Sequence, residues 1–345
     1  MLEIKNEGVI LEKTDLDFEN EAVLNPACIE VDGVTHMFYR AVSTGNFSTI
    51  GYCQLKDNNV IQRHSSPILV PGHEYEKHGL EDPKIVFLDG FYYLFYTAYD
   101  GRNARVAYAT STDLVHFEKK GPITPAITYD EAEDLFPQVG LKEKYRLFES
   151  HLMKEVGKRV LLWEKDAFIF PKKFNGKFAL IHRILPGMQV IYFDNFSQLN
   201  EEYWKNYLKD LNKYIMLDPK YWFESRNIGG GCPPIETEEG WLLIYHAIED
   251  TDDGKIYRAC AALLDLKDPT KEIGRLEEPL FSPEEPWEKR NLKEPCNDLV
   301  GVVFPSGSVI RNGRIYIYYG ADDRLIACRS VNLKELLIEL KKARP

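Results

Sequence analysis

A β-hairpin pattern occurs five times along this chain, and it limits the possible folds more than any other feature. In each copy a short apolar run leads into a turn that ends in glycine, and a second run rich in aromatic and β-branched residues follows. Asp-Gly and Asn-Gly favour type I′ turns, because both central residues need positive φ, and the flanking runs favour strands. The copies begin at Asn25, Asp82, Asp166, Pro233 and Pro305, and their turn glycines are Gly33, Gly90, Gly176, Gly240 and Gly313.

Five such units in one chain predict an all-β fold, a five-bladed β-propeller. We expect the five hairpins to lie in five different sheets of a single domain that spans residues 1–345, with blades over about residues 20–330. A third strand with small residues follows each hairpin, at 48–55, 104–111, 188–193, 257–264 and 324–330. Fourth strands are harder to recognise, with candidates near 60–63, 117–120 and 274–276.

Two insertions and the C-terminus carry helical patterns. Residues 127–160 are mixed, with a helical turn expected at 131–135, and residues 200–212 have apolar side chains at a helical period. Both insertions either pack on the rim of the propeller or border the substrate mouth. The chain ends in a predicted helix at 332–342 with Asn332 as its N-cap. This helix either packs outside the blades or forms a dimer contact.

Charge and cysteine content exclude some classes of function. The formal net charge of −11 over 345 residues disfavours a nucleic-acid partner, which selects for basic surface. No transmembrane stretch and no signal-peptide core are recognisable, so we expect a soluble cytoplasmic protein without a membrane partner. No CxxC pair occurs, which favours reduced structural thiols over a zinc site. The six cysteines are Cys28, Cys53, Cys232, Cys260, Cys296 and Cys328.

Polar residues stand at the strand ends, where strand propensity does not explain them. Counted from the turn glycines, Arg40 and Arg183 are both seventh, and His182 and His246 are both sixth. Equivalent positions in a propeller lie at one level around the axis, so we expect an acid, several cations and some amides to converge on a central funnel. Each residue also has a structural interpretation: an Asp before Pro caps a turn, and a strand His is often a satisfied core residue.

Several segments, in this order along the chain, resemble glycoside hydrolase family 130, which comprises the β-mannoside phosphorylases and related β-1,2-mannosidases. The segments are GLEDPKI (79–85), KDAFIFP (165–171), residues 224–247, VVFPSG (302–307) and YYGADD (318–323). The resemblance implies a five-bladed propeller and an inverting phosphorolysis that yields α-mannose 1-phosphate. It implies that Asp82 is the general acid and protonates the glycosidic oxygen through the 3-hydroxyl of the mannosyl unit.

The resemblance also implies the remaining site residues. Lys165, Arg183 and His246 would bind phosphate, and Asn25, Arg40 and Asp323 would hold the mannose ring. Glu81, Asp166, Arg226 and Asn227 are further candidates for substrate binding, although many relatives have a Lys where this chain has Asn227. A carbohydrate and phosphate are the implied partners, a homo-oligomer is compatible with the pattern, and no metal or organic cofactor is implied.

The residues themselves bear on the choice of nucleophile. An inverting hydrolase needs a second carboxylate, roughly 6.5–9.5 Å from the first, to activate water. Propeller glycosidases usually place an Asp at the entrance of the first blade, where this chain has Asn25. A phosphate nucleophile needs cations rather than a base, so we expect a phosphorylase. An inverting β-mannosidase with Glu224 or Glu249 as its base, and a non-catalytic carbohydrate-binding propeller, are the alternatives.

Overall fold

The structure is a computed structural model that describes residues 2–147, 160–290 and 298–343. The chain is mostly β. Its strands, β1–β21 in chain order, form five antiparallel groups, which we call units 1 to 5.

Unit 1 consists of β2 (Ala22–Val31), β3 (Val34–Ser43), β4 (Phe47–Lys56) and β5 (Asn59–Arg63). Unit 2 consists of β6 (Gly79–Leu88), β7 (Phe91–Tyr99), β8 (Ala104–Ser111) and β9 (Glu118–Pro122). Unit 3 consists of β10 (Phe168–Ile169), β11 (Phe178–His182), β12 (Met188–Phe193) and β13 (Ile215–Leu217). Unit 4 consists of β14 (Asn227–Gly230), β15 (Ile235–Thr237), β16 (Gly240–Thr251), β17 (Gly254–Leu264) and β18 (Glu272–Arg275). Unit 5 consists of β19 (Leu299–Arg311), β20 (Arg314–Ala321), β21 (Leu325–Asn332) and the N-terminal strand β1 (Lys5–Leu11).

Each unit contains one of the five predicted hairpins, but the units are not five separate sheets. Short parallel pairings join β4 to β6 at Ser48 and Gly79, and β17 to β19 from Lys255 to Tyr257. Units 1 and 2 therefore form one sheet of eight strands, units 4 and 5 one of nine, and unit 3 stays alone with four. The expectation of five different sheets was wrong on this point.

The turns confirm the predicted type I′ geometry in four units and correct it in the fifth. Both central residues have positive φ at Asp32-Gly33, Asp89-Gly90, Asn175-Gly176 and Asn312-Gly313. In unit 4 the two turn residues are 238 and 239, and Gly240 is the first residue of β16. Counting from the glycines therefore places unit 4 out of step with the other units by one residue.

Three helices lie where the sequence predicted them, and each begins at a side-chain cap. They are α1 (Tyr129–Leu135), α2 (Glu201–Leu208) and α3 (Leu333–Lys342), capped by Thr128, Asn200 and Asn332. Helix α3 buries Leu336 and Leu340 completely against units 4 and 5, so packing against the sheets accounts for its apolar stripe. Most of the second half of the first insertion lies outside the described residues. No helix in the described part of the chain is long and apolar enough to cross a membrane.

A buried glutamate recurs in all five units. Each of these side chains follows an aromatic residue in the sequence, has no exposed surface, and bonds to a residue of its unit's second long strand. Four of them end a 3₁₀ turn, at Asp17–Glu19, Glu74–Glu76, Trp222–Glu224 and Pro286–Glu288, whereas the other two 3₁₀ turns, Phe196–Gln198 and Leu211–Lys213, flank α2. We call the five groups the glutamate clamps. The pairs are Glu19–Tyr39, Glu76–Tyr96, Glu164–His182, Glu224–Tyr245 and Glu288–Tyr319.

In four clamps a cation from β5, β9, β18 or β21 neutralises the buried carboxylate. The Arg or Lys nitrogen lies between 2.5 Å (Lys119 to Glu76) and 3.2 Å (Arg275 to Glu224) from a glutamate oxygen. A buried charge without a partner would cost several kcal/mol. The clamps therefore tie the segment before each first strand to the outer strands. The other two pairs are Arg63–Glu19 and Arg329–Glu288.

The cysteines are buried and unpaired, as the sequence predicted, at five of their six positions, namely Cys28, Cys53, Cys232, Cys260 and Cys328. Cys296 lies outside the described residues.

We expect Arg275→Leu to lower the free energy of unfolding by about 3–5 kcal/mol, because it leaves the Glu224 charge buried and unpaired. Urea denaturation measures the loss. Lys172→Ala, which removes an exposed ion pair with Glu236, is the control and should cost less than about 1 kcal/mol. The double variant Glu224→Leu/Arg275→Leu should recover part of the loss. An equal effect of Arg275→Leu and Lys172→Ala would contradict the role assigned to the clamp.

Candidate active site

A cavity of about 580 Å³ opens where the five units meet. All five units contribute to its wall, as expected of residues that share one funnel. The structure brings together eight of the predicted site residues on this wall: Asn25, Arg40, Asp82, Lys165, Asp166, Arg183, His246 and Asp323.

Three of the predicted acidic and amide residues of the cavity have an unusual backbone conformation. Asn25, Asp82 and Asp166 have φ of 48°, 49° and 57°, a left-handed conformation that Asn and Asp tolerate better than other non-glycine residues. The β2–β3 and β6–β7 ladders shift register across Asn25-Pro26 and Asp82-Pro83, respectively. Such bulges change the direction of a side chain. Here they occur where the side chains of Asn25 and Asp82 leave the first strands of their units and reach the cavity wall.

Asp82 is held by an amide and a guanidinium. Its Oδ1 accepts a 2.7 Å hydrogen bond from Nδ2 of Asn25 and lies 3.7 Å from Nη1 of Arg40. Asn25 thus serves as a donor that orients the Asp82 carboxyl. Gly320 makes room for this amide, because a Cβ atom there would lie 2.1 Å from Asn25 Oδ1.

Glu81 anchors two cations beside Asp82. Its two oxygens lie 3.0 Å from Arg40 Nη2 and 3.0 Å from Lys165 Nζ. Burial alone would raise the pKa of Glu81, but Lys165 and Arg40 outweigh it and lower the pKa to about 2. Glu81 itself is absent from the cavity wall formed by the described residues. Its place in the structure is that of an anchor for the side chains that do line the wall.

The other basic groups lie on units 3 and 4. Arg183 Nη1 is 3.1 Å from Asp166 Oδ2. His246 is fully buried and clusters with Phe304 and Tyr257, whose ring centroids lie 4.5 and 6.1 Å from its own. Burial, and then the charges of Arg183 and Lys84, lower the pKa of His246 well below its usual value. A lowered pKa favours the neutral imidazole, which can offer hydrogen bonds to a ligand, whereas the sequence analysis grouped His246 with the basic side chains.

Several buried polar atoms around the cavity have no hydrogen-bond partner within the described parts of the chain. They include both ring nitrogens of His246, Arg183 Nε and Asp166 Oδ1. Unsatisfied buried groups are uncommon in native proteins and call for a ligand or ordered water. The glycine run explains how these groups come so close, because a Cβ at Gly229 would lie 2.5 Å from His246 and 3.0 Å from Arg183.

The corrected register of unit 4 changes one equivalence. His246 corresponds to Arg183 and not to His182. His246 directly follows Tyr245, and Arg183 directly follows His182, and these preceding residues, which we call the clamp residues, bond to the buried glutamates of their units. Successive side chains of a strand point to opposite faces, so a residue in the clamp places the next one on the cavity side. Arg40 obeys the same rule after Tyr39. The five positions are Arg40, Thr97, Arg183, His246 and Gly320.

Besides Glu81, four predicted site residues do not lie on the cavity wall that the described residues form. Glu224 is completely buried in the unit 4 clamp, and Glu249 pairs with Arg258 at 3.1 Å. Both carboxylates are engaged elsewhere, so the structure does not support either of them as a base. Arg226 is 3.3 Å from Asp250, and Asn227 is buried, with no hydrogen-bond partner for its Nδ2 among the residues that the structure describes.

Lys84 is the principal group that the sequence analysis passed over, although it stands in the GLEDPKI segment. It is 1% exposed, its Nζ has no hydrogen bond in the described structure, and it lies 5.3 Å from the Phe304 ring centroid. Burial lowers its pKa, although Asp166 and Asp82 oppose this. A lysine inside an otherwise buried strand was the available signal. Lys84 is not on the wall formed by the described residues. That wall does include Glu21, Asn46, Tyr257, Arg290, Phe304 and Arg324, none of which the sequence analysis named as a site residue.

The family model described as β-1,4-mannooligosaccharide phosphorylase, of glycoside hydrolase family 130, matches residues 9–342. The chain belongs to this family.

Two curated members of family 130 come from Thermoanaerobacter sp. strain X514. A 1,2-β-oligomannan phosphorylase is 33% identical over 343 residues, covering 96% of this chain and 97% of the relative. A β-1,2-mannobiose phosphorylase is 32% identical over 340 residues, covering 93% of both. Among solved structures, the β-1,2-mannobiose phosphorylase of Listeria innocua superposes with a TM-score of 0.72 at 20% identity, over 98% of this chain and 99% of that one. The fold is therefore shared along almost the whole chain.

The described residues contain no group of three or more His, Cys, Asp or Glu side chains that could hold a metal ion.

We expect Glu81→Gln to destabilise the protein near neutral pH and much less in acid. The pKa of Glu81 is about 2 in the folded protein, against an ordinary 4.5. Its stabilising contribution is therefore present above about pH 4.5 and is lost as the pH falls toward about 2. Melting temperatures measured from about pH 6 to about pH 3 should show the gap between wild type and variant narrowing. The exposed carboxylate of Glu74 supplies the control, Glu74→Gln. If the difference in melting temperature between wild type and Glu81→Gln stays constant with pH, the lowered pKa of Glu81 is refuted.

Proposed function

We propose that the protein catalyses the inverting phosphorolysis of β-mannosides, preferably β-1,2-linked, to α-mannose 1-phosphate. One observation carries the proposal. The cavity combines a carboxyl held by an amide, Asp82 with Asn25, with the basic groups Lys165, Arg183 and His246, whose buried polar atoms include some without a partner among the described residues. This arrangement suits one proton donor and one bound anion better than two carboxylates acting on water.

We propose a five-bladed β-propeller as the framework of this site. Five antiparallel units, each with one hairpin and one glutamate clamp, support it, and so does the cavity to which all five contribute. The pairing of β1 with β21 joins the two ends of the chain. We further propose a cytoplasmic location, which the free thiols of the five described cysteines support.

In the proposed reaction, phosphate binds among Lys165, Arg183 and His246 and attacks the anomeric carbon. The glycosidic C1–O bond breaks on the opposite face, and the departing oxygen receives the proton of Asp82 through the sugar 3-hydroxyl. Charge-assisted bonds from Lys165 and Arg183 hold and orient the anion, while the neutral His246 supplies one further hydrogen bond.

We propose that Asn25, Arg40 and Asp323 hold the mannosyl ring near Asp82. Arg40 is held in place by Glu81 and by Ser48, whose Oγ accepts a 2.9 Å bond from Arg40 Nε. Burial, outweighing the charge of Arg40, raises the pKa of Asp323. The names of the two Thermoanaerobacter relatives support the preference for β-1,2 linkages over the β-1,4 linkage in the family description.

Cleavage of β-1,2-mannobiose should depend on phosphate and should release α-mannose 1-phosphate and mannose in equal amounts. The reason is that the cavity offers an anion site and no free second carboxylate among the predicted bases. Anion-exchange chromatography and ³¹P NMR measure the products with and without phosphate, and β-1,4-mannobiose serves as the matched substrate. Steady release of mannose without phosphate would show that water is the nucleophile.

Asp82→Asn should reduce turnover by at least about 10²-fold, because it keeps the shape and the Asn25 contact region but removes the transferable proton. Initial rates on β-1,2-mannobiose measure the effect. Asp113→Asn changes a half-exposed carboxylate of the same unit and should retain full activity. Activity of Asp82→Asn close to wild type on an unactivated mannoside would remove Asp82 from the proposed mechanism.

A further inference from the structure

Unit 3 holds its cavity residue differently from the other units. In the others, a backbone ladder pair between the first and second long strands includes the position after the clamp residue. Those pairs are Leu24–Arg40, Glu81–Thr97, Gly229–His246 and Phe304–Gly320. In unit 3 the β10–β11 ladder consists of Phe168–Ile181 and Ile169–Leu180, so it ends before Arg183.

A carboxylate takes the place of the missing ladder pair. The backbone N–H of Arg183 donates to Glu164 Oε2 at 3.2 Å. Glu164 has no exposed surface and directly precedes Lys165 and Asp166. One buried side chain therefore connects the two chain segments that carry the basic groups of unit 3.

His182 and Tyr207 in turn fix Glu164. Nδ1 of His182 lies 3.1 Å from Glu164 Oε1, and Nε2 lies 2.8 Å from the hydroxyl of Tyr207 in α2. With Nδ1 protonated, the ring donates to Glu164, and Nε2 can accept from the Tyr207 hydroxyl, which also lies 3.2 Å from the carbonyl oxygen of Val190. The Trp204 ring meets the imidazole edge-to-face at 5.0 Å. Within the described residues Glu164 has no Arg or Lys side-chain partner. His182, which stands where the other four clamps have a tyrosine, is therefore its side-chain partner in place of both tyrosine and cation.

We propose that His182 is a positioning residue for the anion site: through Glu164, and supported by Tyr207, it fixes the backbone that presents Arg183 and Lys165 to phosphate. The proposal rests on the proposed function. It assigns the insertion that carries α2 a role in phosphate binding, although α2 supplies no residue to the described cavity wall. Because the link runs through the Arg183 backbone, loss of His182 should weaken phosphate binding more than sugar binding.

Steady-state kinetics with both substrates, together with calorimetric titration of inorganic phosphate, test the link. His182→Phe should raise the KM for phosphate by at least about fivefold, the equivalent of one lost hydrogen bond. The KM for β-1,2-mannobiose should change by less than about twofold. Tyr207→Phe should shift the phosphate KM in the same direction, and His182→Asn should restore most of it, because its amide can donate to Glu164. Arg183→Ala sets the upper limit of the effect.

Tyr319→Phe is the matched control, since it removes the equivalent hydroxyl from the clamp of unit 5. It should lower the melting temperature and leave the phosphate KM unchanged. An unchanged phosphate KM in His182→Phe, or an equal rise in Tyr319→Phe, would overturn the proposal; if His182→Phe does not fold, Tyr207→Phe decides. If the wild-type protein binds no phosphate, the proposed function is overturned as well. If the wild-type reaction depends on phosphate but the variants keep the wild-type phosphate KM, only this inference is overturned.

Discussion

The buried glutamate of each unit is the interaction on which the rest of the structure depends. A carboxylate with no exposed surface is tolerated only with its charge and lone pairs satisfied, and each clamp meets this need with groups from separate segments of one unit. In unit 4, Glu224 accepts from Tyr245, Arg275 and the backbone N–H groups of Lys220 and Tyr221. The clamp thereby fixes the distance between these segments. It also fixes the phase of the second long strand, that is, which of its side chains face the glutamate and which face the opposite side.

The phase of that strand connects stability to function. Since side chains alternate along a strand, a clamp residue that faces its glutamate obliges the next residue to face the cavity. Arg40, Arg183 and His246 reach one wall in this way, although the chain as a whole carries a net charge of −11. The ionised Glu81 then holds Arg40 and Lys165 close together despite their repulsion. Burial and the charges of Arg183 and Lys84 lower the pKa of His246. The local cluster thus works against the overall charge, as an anion site in an acidic protein must.

The parts of the fold that follow from local sequence were predictable. The I′ turns of four units depend on two residues each, and Asp-Gly or Asn-Gly identified all four. In unit 4, Gly240 follows Glu-Glu and was misplaced by one residue. The clamps were not predicted, because an aromatic-Glu pair is common and Glu is ordinarily exposed. The same preference made Glu224 a candidate base. Only the tertiary structure shows that Arg275 and Tyr245 already occupy its oxygens.

Unit 3 shows why the site could be located from sequence while its support could not. Its first strand has only two residues, too few for the ladder to hold Arg183, and the sequence marks this only as a short apolar run. The shortened ladder leaves the backbone of a cavity residue to be positioned by side chains, which act over contacts that one substitution can remove. Cavity residues within a ladder, such as His246, depend instead on bonds that every sequence can make. Single substitutions should therefore disturb the cavity most in unit 3, which supplies Lys165 and Arg183. Tyr207, in the helix of an insertion, belongs to the side-chain network that holds these two residues in position.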